Sequence, residues 1–519
     1  VKRATRDSRL IAALAALAAA PLLPARWLPM VDLPQHELVA DALARRVARE
    51  PGTLTELNAF TYNAGFEFAV APFARTLGVV HAGHALLALA SAGLVIAIAR
   101  LRALQGLDRW PALVAALFTL HYAASWGFAN FTLGVPLAFL ALGDAVVLHA
   151  RPSARAALLG LVTASALAVT HVLAAMAACF GFALIALPDL LRDRRRANFV
   201  AWVRAAAPLA LAGTYDVAAF LWARAHPHAP WENAWAEGRH AGLLARARDF
   251  ATNALGTTGD PLERFTAWGA LVGLAIALFA RRDDEDHTPP SAQERVPDLR
   301  ALPLGFAAAY LLVPTVFVAT FYVGERFASM TLLALVATAR LRARTASTKA
   351  LYGLVALIAA LRLEWTVRAS DRAARDGLEV LATLPAEASV LPVNRDVDVE
   401  GLRRAPLRHL FARHALRSGA SVGYSFLRFE SPPVRRTLPP RLPDPPPGFE
   451  GDGRGLAHDA PFTHAWDALF VVDAPGTDFG AEAYRESIAP GCGGELELVA
   501  SRGRFAAYRW VMRRTVDTR

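Results

Sequence analysis

Apolar residues in this chain come in runs of roughly 15 to 20, divided by short polar breaks, and no other feature restricts the fold as much. The first run is LIAALAALAAAPLLPARWL, residues 10–28. Others follow at about 77–99, 110–126, 132–150, 156–170, 172–187, 203–222, 266–280, 301–321, 327–339 and 349–364. A bilayer's hydrocarbon core takes about 20 apolar residues of helix, fewer where the membrane thins or flanking side chains snorkel. Over its 519 residues the chain is 55% hydrophobic and only 19% charged. A soluble chain carries nearer to ~25% charge. The pattern predicts an all-α polytopic membrane protein with about eleven transmembrane helices.

The net charge of +10 does not point to nucleic acid, because the basic residues sit mainly in short loops between apolar runs. Those loops alternate. Arg100, Arg102 and Arg109 lie in one, Arg151 and Arg155 in the next of the series, then Arg192, Arg194, Arg195 and Arg196. Arg281, Arg282, Arg295 and Arg300 follow, and then Arg340, Arg342, Arg344 and Lys349. The opposite short loops hold almost no cation, with Arg326 the exception. The positive-inside rule then places the N-terminus in the cytoplasm and everything after Trp365 outside, across an inner (cytoplasmic) membrane. Cys179 lies in an apolar run and Cys492 in the polar tail, so a bond between them is not expected and neither has a metal or redox spacing.

The first run follows Lys2, Arg3, Arg6 and Arg9, a pattern shared by signal peptides and first spans. Arg26-Trp27 at its end supplies an interface anchor and favours a retained helix. The stretch ARAALLGLVTASALAVTHVLAAMAACFGFALIALP is too long for one span and is polar at Thr170-His171. It reads as two short helices with His171 at the outer turn. Residues 1–365 then form a transmembrane module with an interfacial helix at about 34–50 and an outer loop at 223–265. Residues 366–519 lack a span-length run and include the Pro-rich linker at 437–455. Short apolar segments such as ASVLPV, DALFVVDA and LELVAS predict a small α/β domain outside the membrane.

The outer turns carry the candidate chemistry. In PMVDLPQHELVADALARRV, Asp32 is placed either as a general base for an acceptor hydroxyl or as the cap of the helix starting near Pro34. In that helix Leu38, Val39, Leu43 and Val47 form an apolar face opposite Arg45, Arg46, Arg49 and Glu50. His36 and Glu37 stand a turn further on, with no second ligand spacing to require a metal. Asn130, in WGFANFTLGVPL, either lines a cavity beside Asp32 or builds a tight turn. His171 is either a substrate-positioning group or an interhelical hydrogen-bonding residue. Asp216 sits within an apolar run, where an ionisable group faces a cavity or a partner; Asp144 lies nearer the cytoplasmic end and suits a structural role. Arg326, in FYVGERFASM, either clasps a phosphate bidentately or pairs with Glu325 or lipid headgroups. HPHAPWENAWAEGRHAGLLARARDFATN is either an interfacial helix over a site or a connector.

The layout resembles the GT-C superfamily of integral-membrane glycosyltransferases: a first span, an outer loop with an early acidic residue and an interfacial helix, many spans, then an outer domain. VDLPQHELVADAL resembles the D-x-P-x-H-x-x-x-A segment of a group of bacterial multi-spanning proteins with that layout. GFANFTLGVPLAFLAL, the paired-helix TH, RHLFARHALRSGAS and WDALFVV are similar to that group too. The resemblance implies that Asp32 activates the acceptor or, as in some members, helps bind a metal, and that Arg326 holds the phosphate of a polyprenyl-phosphate-linked sugar. His36, Glu37, Asn130, His171 and Asp216 are its substrate-positioning candidates. The acceptor is a glycan or lipid hydroxyl; no nucleic acid is expected. The chain offers Asn130 where several members carry a second acidic pair, so a divalent metal is allowed but not required. Two other readings stand beside this one. A transporter or flippase predicts repeats, broken helices and paired midplane charges, whereas the sequence shows no clear repeat and gathers its polar residues at outer turns. A non-catalytic envelope-assembly protein would use His409, Arg413 and Trp466 of the tail to bind a partner.

Overall fold

A computed structural model describes residues 2–50, 55–58, 61, 63–225, 242–255, 297–317, 320–428, 433–436, 442, 465–489 and 496–511, with scattered positions between 265 and 276. The longer helices are α1 (Lys2–Ala19), α2 (Leu33–Val47), α3 (Val79–Leu104), α4 (Ala129–Ala150), α5 (Ala154–Thr170) and α6 (Val172–Arg192). After them come α7 (Arg196–Ala225), α8 (Leu243–Leu255), α9 (Ala301–Leu312), α10 (Arg326–Thr338) and α11 (Ala346–Ala382). Five helices, α3, α4, α6, α7 and α11, are long and apolar enough to cross a membrane, and α5, α9 and α10 are shorter apolar helices. The chain is a multi-pass, mainly helical membrane protein with a small C-terminal sheet. Most of 223–265, most of the run at 266–280, nearly all of the linker at 437–455 and Cys492 lie outside the described residues.

The run at 110–126 is not one α-helix. It is a 3-10 stretch, Trp110–Phe118, followed by the short helix Tyr122–Ser125. Trp110, Leu113, Ala115 and Phe118 are buried by the surrounding helices, and only there is non-α backbone tolerated at membrane depth. The long stretch at 154–192 does divide in two at His171, whose backbone is extended. The break is capped: His171 Nδ1 accepts from the Leu173 amide at 3.1 Å, and Asn63 Oδ1 accepts from the Val172 amide at 3.2 Å.

Among the described residues, the basic loops after α3 and α10 meet the start of α1 and the end of α4. Lys349 Nζ meets Asp7 at 2.7 Å, Arg109 donates to Ser8 Oγ at 2.6 Å, and Arg100 pairs with Asp144 at 2.5 Å. Buried Arg102 donates to the carbonyls of Asp108, Val336, Ala339 and Leu341, tying α3 to the end of α10. Asp144 therefore has the structural role expected of it. Asp32, His171 and Arg326 lie at the beginnings of α2, α6 and α10.

The helix α11 does not stop where its apolar run ends near Trp365. It continues to Ala382, and Ala374, Val380 and Leu381 enter the core of the C-terminal domain. That domain holds β2 (Val390–Asn394), β4 (Ala468–Val472), β5 (Leu496–Arg502) and β6 (Phe505–Trp510) in the order β2-β4-β6-β5. β2 and β4 are parallel, and the remaining pairs are antiparallel. Alternation sorts β4: Leu469 and Val471 pack with Trp466 and Phe479, while Phe470 and Val472 face α11, Leu407 and Phe411. Both faces are covered, so the central strand is apolar throughout. In EGLRRAPLRHLFARHALRSG only α12 (Ala412–Ser418) is an α-helix; Pro406 and the preceding turns lie outside it. A second small pairing, β1 (Thr55–Leu57) with β3 (Val434–Arg436), ties the first loop to the domain.

Candidate active site

The segment entering α2 runs beside the turn that precedes α4. The Val31 and Asp32 amides donate to the carbonyls of Ser125 and Trp126 at 3.2 and 3.0 Å. This approach depends on Gly127, at φ +85°, because a Cβ there would lie 2.2 Å from the Asp32 nitrogen. Gly127→Ala is expected to cost about 3 kcal/mol, from left-handed strain and loss of the Asp32 amide contact. Thermal unfolding in detergent measures it, and an unchanged midpoint would contradict the close approach.

Asp32 occupies the N-cap position of α2 but makes no side-chain cap hydrogen bond. Its carboxylate instead stands 3.3 Å from His409 Nδ1 of the C-terminal domain. It is also the carboxylate that attracts Arg326 most strongly. Arg326, the first residue of α10, is buried with its guanidinium 3.9 Å above the Phe128 ring. Arg326 Nη1 lies 3.0 Å from His171 Nε2. Burial, and after it the charge of Arg326, lowers the His171 pKa well below the usual imidazole range, so the ring is neutral. A neutral imidazole offers one lone pair, so the Leu173 cap and the Arg326 contact compete for it. Arg326 and His171 thus meet, and the Asp32 charge acts on Arg326.

The turn before Arg326 is held by α8. Arg246, itself buried, donates to the carbonyls of Tyr310 and Val313 and to Thr315 Oγ1, while the Tyr310 hydroxyl donates to the Arg246 carbonyl at 2.6 Å. Thr315 in turn donates to Glu325 at 2.8 Å. The segment GLLARARDFATN is therefore a helix that braces the turn before α10.

His36 and Asn130 meet through a residue the sequence reading passed over. His36 Nδ1 lies 2.6 Å from Glu67 Oε1, and Asn130 Nδ2 donates to Glu67 Oε2 at 3.0 Å. Asn130 also donates to the Asn63 carbonyl at 2.7 Å and accepts from the Phe66 amide at 2.6 Å. Its amide is fully engaged in building the turn. The available signal for Glu67 was a lone carboxylate inside the apolar helix GFEFAV, where it is buried.

Glu37 and Asp216 lie apart from this group. Glu37 is buried between Arg413 Nη1 at 3.2 Å and His84 Nε2 at 3.6 Å. Burial pushes its carboxyl up, against the pull of Arg413 and, more weakly, His36. Asp216 is buried in α7, with neither oxygen hydrogen-bonded among the described residues, and acts electrostatically on Cys179 and Tyr215. Val47, expected on the apolar face of α2, is 72% exposed, because it ends the helix beyond the cover that buries Leu38, Val39 and Leu43.

The C-terminal domain closes over this region. Trp27 is not a lipid-facing anchor: it is buried, its Nε1 donates to the Pro406 carbonyl at 3.0 Å, and its amide donates to Asp371 at 2.5 Å. Arg404 lies over Tyr122 at 4.4 Å and Trp126 at 4.7 Å, and Trp126 stacks on Tyr322 at 4.6 Å. His409 and Trp466, which the sequence offered as partner-binding residues, are each 1% exposed and turned inward. Among the described residues no three His, Cys, Asp or Glu side chains are grouped to hold a metal ion.

No protein-family model matches the sequence, and no curated protein matches it. Solved structures do. The apo crystal structure of ArnT from Cupriavidus metallidurans superposes with a TM-score of 0.54 over 98% of both chains at 13% identity. The same protein bound to undecaprenyl phosphate gives a TM-score of 0.53, at 12% identity, over 97% of this chain and 98% of that one. The fold is GT-C-like. The archaeal oligosaccharyltransferase AglB from Archaeoglobus fulgidus, solved with an inhibitory peptide and a dolichol-phosphate, aligns more loosely. Its TM-score is 0.43 at 9% identity, over 90% of this chain and 69% of that one. The GT-C-like fold extends through the C-terminal domain, since the ArnT superposition spans nearly the whole chain.

Proposed function

We propose that this chain is a glycosyltransferase of the inner membrane, moving a sugar from a polyprenyl-phosphate donor to a glycan or lipid hydroxyl at the outer face. Residues 1–365 are the membrane module and 366–519 its extracytoplasmic domain, with the N-terminus in the cytoplasm. One observation carries the reading: Asp32, at a helix start, leaves its cap unmade, and its charge acts on buried Arg326, which meets His171 at 3.0 Å. The ArnT likeness, which includes a form bound to undecaprenyl phosphate, supports the choice of donor.

In this reading Asp32 takes the proton of the acceptor hydroxyl as its oxygen attacks the anomeric carbon. The bond from that carbon to the phosphate oxygen breaks, and polyprenyl phosphate leaves with the electron pair. Attack opposite the leaving group inverts the anomeric configuration. Arg326, at the N-terminus of α10, stabilises the charge growing on the phosphate, and the helix end adds to it. His171 orients the guanidinium, while His36 and Asn130 hold the wall behind it through Glu67.

The test is transfer from labelled polyprenyl-phosphate sugars by the purified full chain in liposomes containing envelope lipid extract. Labelled acceptor and free polyprenyl phosphate, formed in equal amounts, are expected. Intact donor across a panel of hexose, pentose and amino-sugar forms would overturn the assignment.

A further inference from the structure

The Asp32 carboxylate is not held by its own helix, and an imidazole from a separate part of the fold stands beside it. We propose that His409 is a positioning residue for Asp32, so that docking of the C-terminal domain completes the site; this rests on the reading of Asp32 as the acceptor-activating base. Three observations carry it.

First, an aspartate at an N-cap ordinarily accepts from an amide two or three residues on, which stabilises a helix by about 1 kcal/mol. Asp32 forgoes this, and its Oδ1 faces His409 Nδ1 at 3.3 Å. Second, the imidazole cannot swing away. It stacks on Tyr424 with centroids 5.1 Å apart and meets the edges of Phe411 and Phe426 at 5.8 and 6.4 Å. The preceding residue is tied to the sheet, since Asn394 of β2 donates to the Arg408 carbonyl at 2.8 Å.

Third, the contacts that seat this part of the domain converge on the segment bearing Asp32. Gln35 accepts from the Phe426 amide at 3.2 Å and donates to the Tyr424 carbonyl at 3.4 Å. Glu37 pairs with Arg413, and Trp27 holds Pro406. A joint this dense around one carboxylate gives it a fixed orientation. His409 and Asp32 stand at ion-pair distance but out of hydrogen-bond alignment. Such contacts in substrate-free enzymes tighten when substrate binds.

The experiment compares full-length His409→Ala and His409→Asn in the transfer assay, at equal amounts of folded protein. A carboxylate left free to turn lowers kcat on the order of 10- to 100-fold, with the donor KM little changed. Asparagine, whose amide reaches the position of Nδ1, restores most of the rate. A kcat equal to wild type in His409→Ala, or no recovery with asparagine, would overturn the proposal. A thermal-unfolding cycle of His409→Ala with Asp32→Asn reads the pair without any transfer. Non-additive losses are expected, and strictly additive ones exclude the coupling. If the wild type transfers no sugar, the proposed function fails, while the cycle still decides whether His409 holds Asp32.

Discussion

Asp32→Asn lowers sugar transfer about 10²- to 10⁴-fold, the range supplied by a positioned general base. The substitution is nearly isosteric, and Asp32 makes no cap bond that asparagine would lose, so the fold should survive. The loss should appear in kcat, because the proton is taken in the transition state and donor binding rests on Arg326. In free-energy terms it is about 3 to 5.5 kcal/mol of barrier. Asparagine in place of the carboxylate also removes a negative charge that acts on Arg326, so donor affinity should rise slightly or stay level. Steady-state rates with a labelled donor, alongside binding of the lipid phosphate alone, separate the two effects. Full activity in Asp32→Asn would remove Asp32 from the mechanism.

Arg326→Ala is expected to lower kcat about 10²- to 10³-fold and to weaken donor binding, since a preorganised cation at the leaving phosphate binds the ground state and holds the transition state, where charge grows, more strongly. Arg326→Lys should fall between. It keeps the charge, but loses the planar fork and the stacking over Phe128 at 3.9 Å. The stacking is worth about 2 kcal/mol when desolvated, so part of the alanine effect will register as lower thermal stability. The lysine variant separates these contributions: it shares the lost stacking with alanine but keeps the charge, so a higher rate and tighter donor binding than alanine mark the phosphate role. Equal donor binding in all three proteins would show that the guanidinium serves the fold alone.

Much of the bundle was legible because bilayer burial is written residue by residue. The His171 break could be read from a polar pair in the middle of an over-long apolar stretch, and Asp144 from its depth near the basic loops. The run at 110–126 misled, because hydropathy reports burial and not helix type, and buried 3-10 backbone is as apolar as a span. Trp27 misled in the opposite direction. An aromatic after a basic residue suits a lipid interface, yet the C-terminal domain covers it and turns it into core.

For the candidate site, Asp32, Arg326 and His171 were nominated by polarity at outer turns; in the fold Arg326 meets His171, while Asp32 stands beside His409. Glu37 sits next to His36 in sequence but faces Arg413 and His84, since successive helical residues point about 100° apart. Glu67 and His409 had no spacing relative to Asp32 that a reader of one chain could use. The first lies 35 residues on, and the second is contributed from beyond the last span.

The primary structure thus carries the membrane class, the sorting of polar turns from basic loops, and the short list from which a site can be drawn. Each follows from a local quantity, the transfer free energy of a run or the charge of a loop. Which groups face one another is not local. Asp32 meets His409 because the C-terminal domain docks on α2, and Arg326 meets His171 because the starts of α10 and α6 pack together. Those encounters depend on the packing of elements hundreds of residues apart, which no pattern within a single segment encodes.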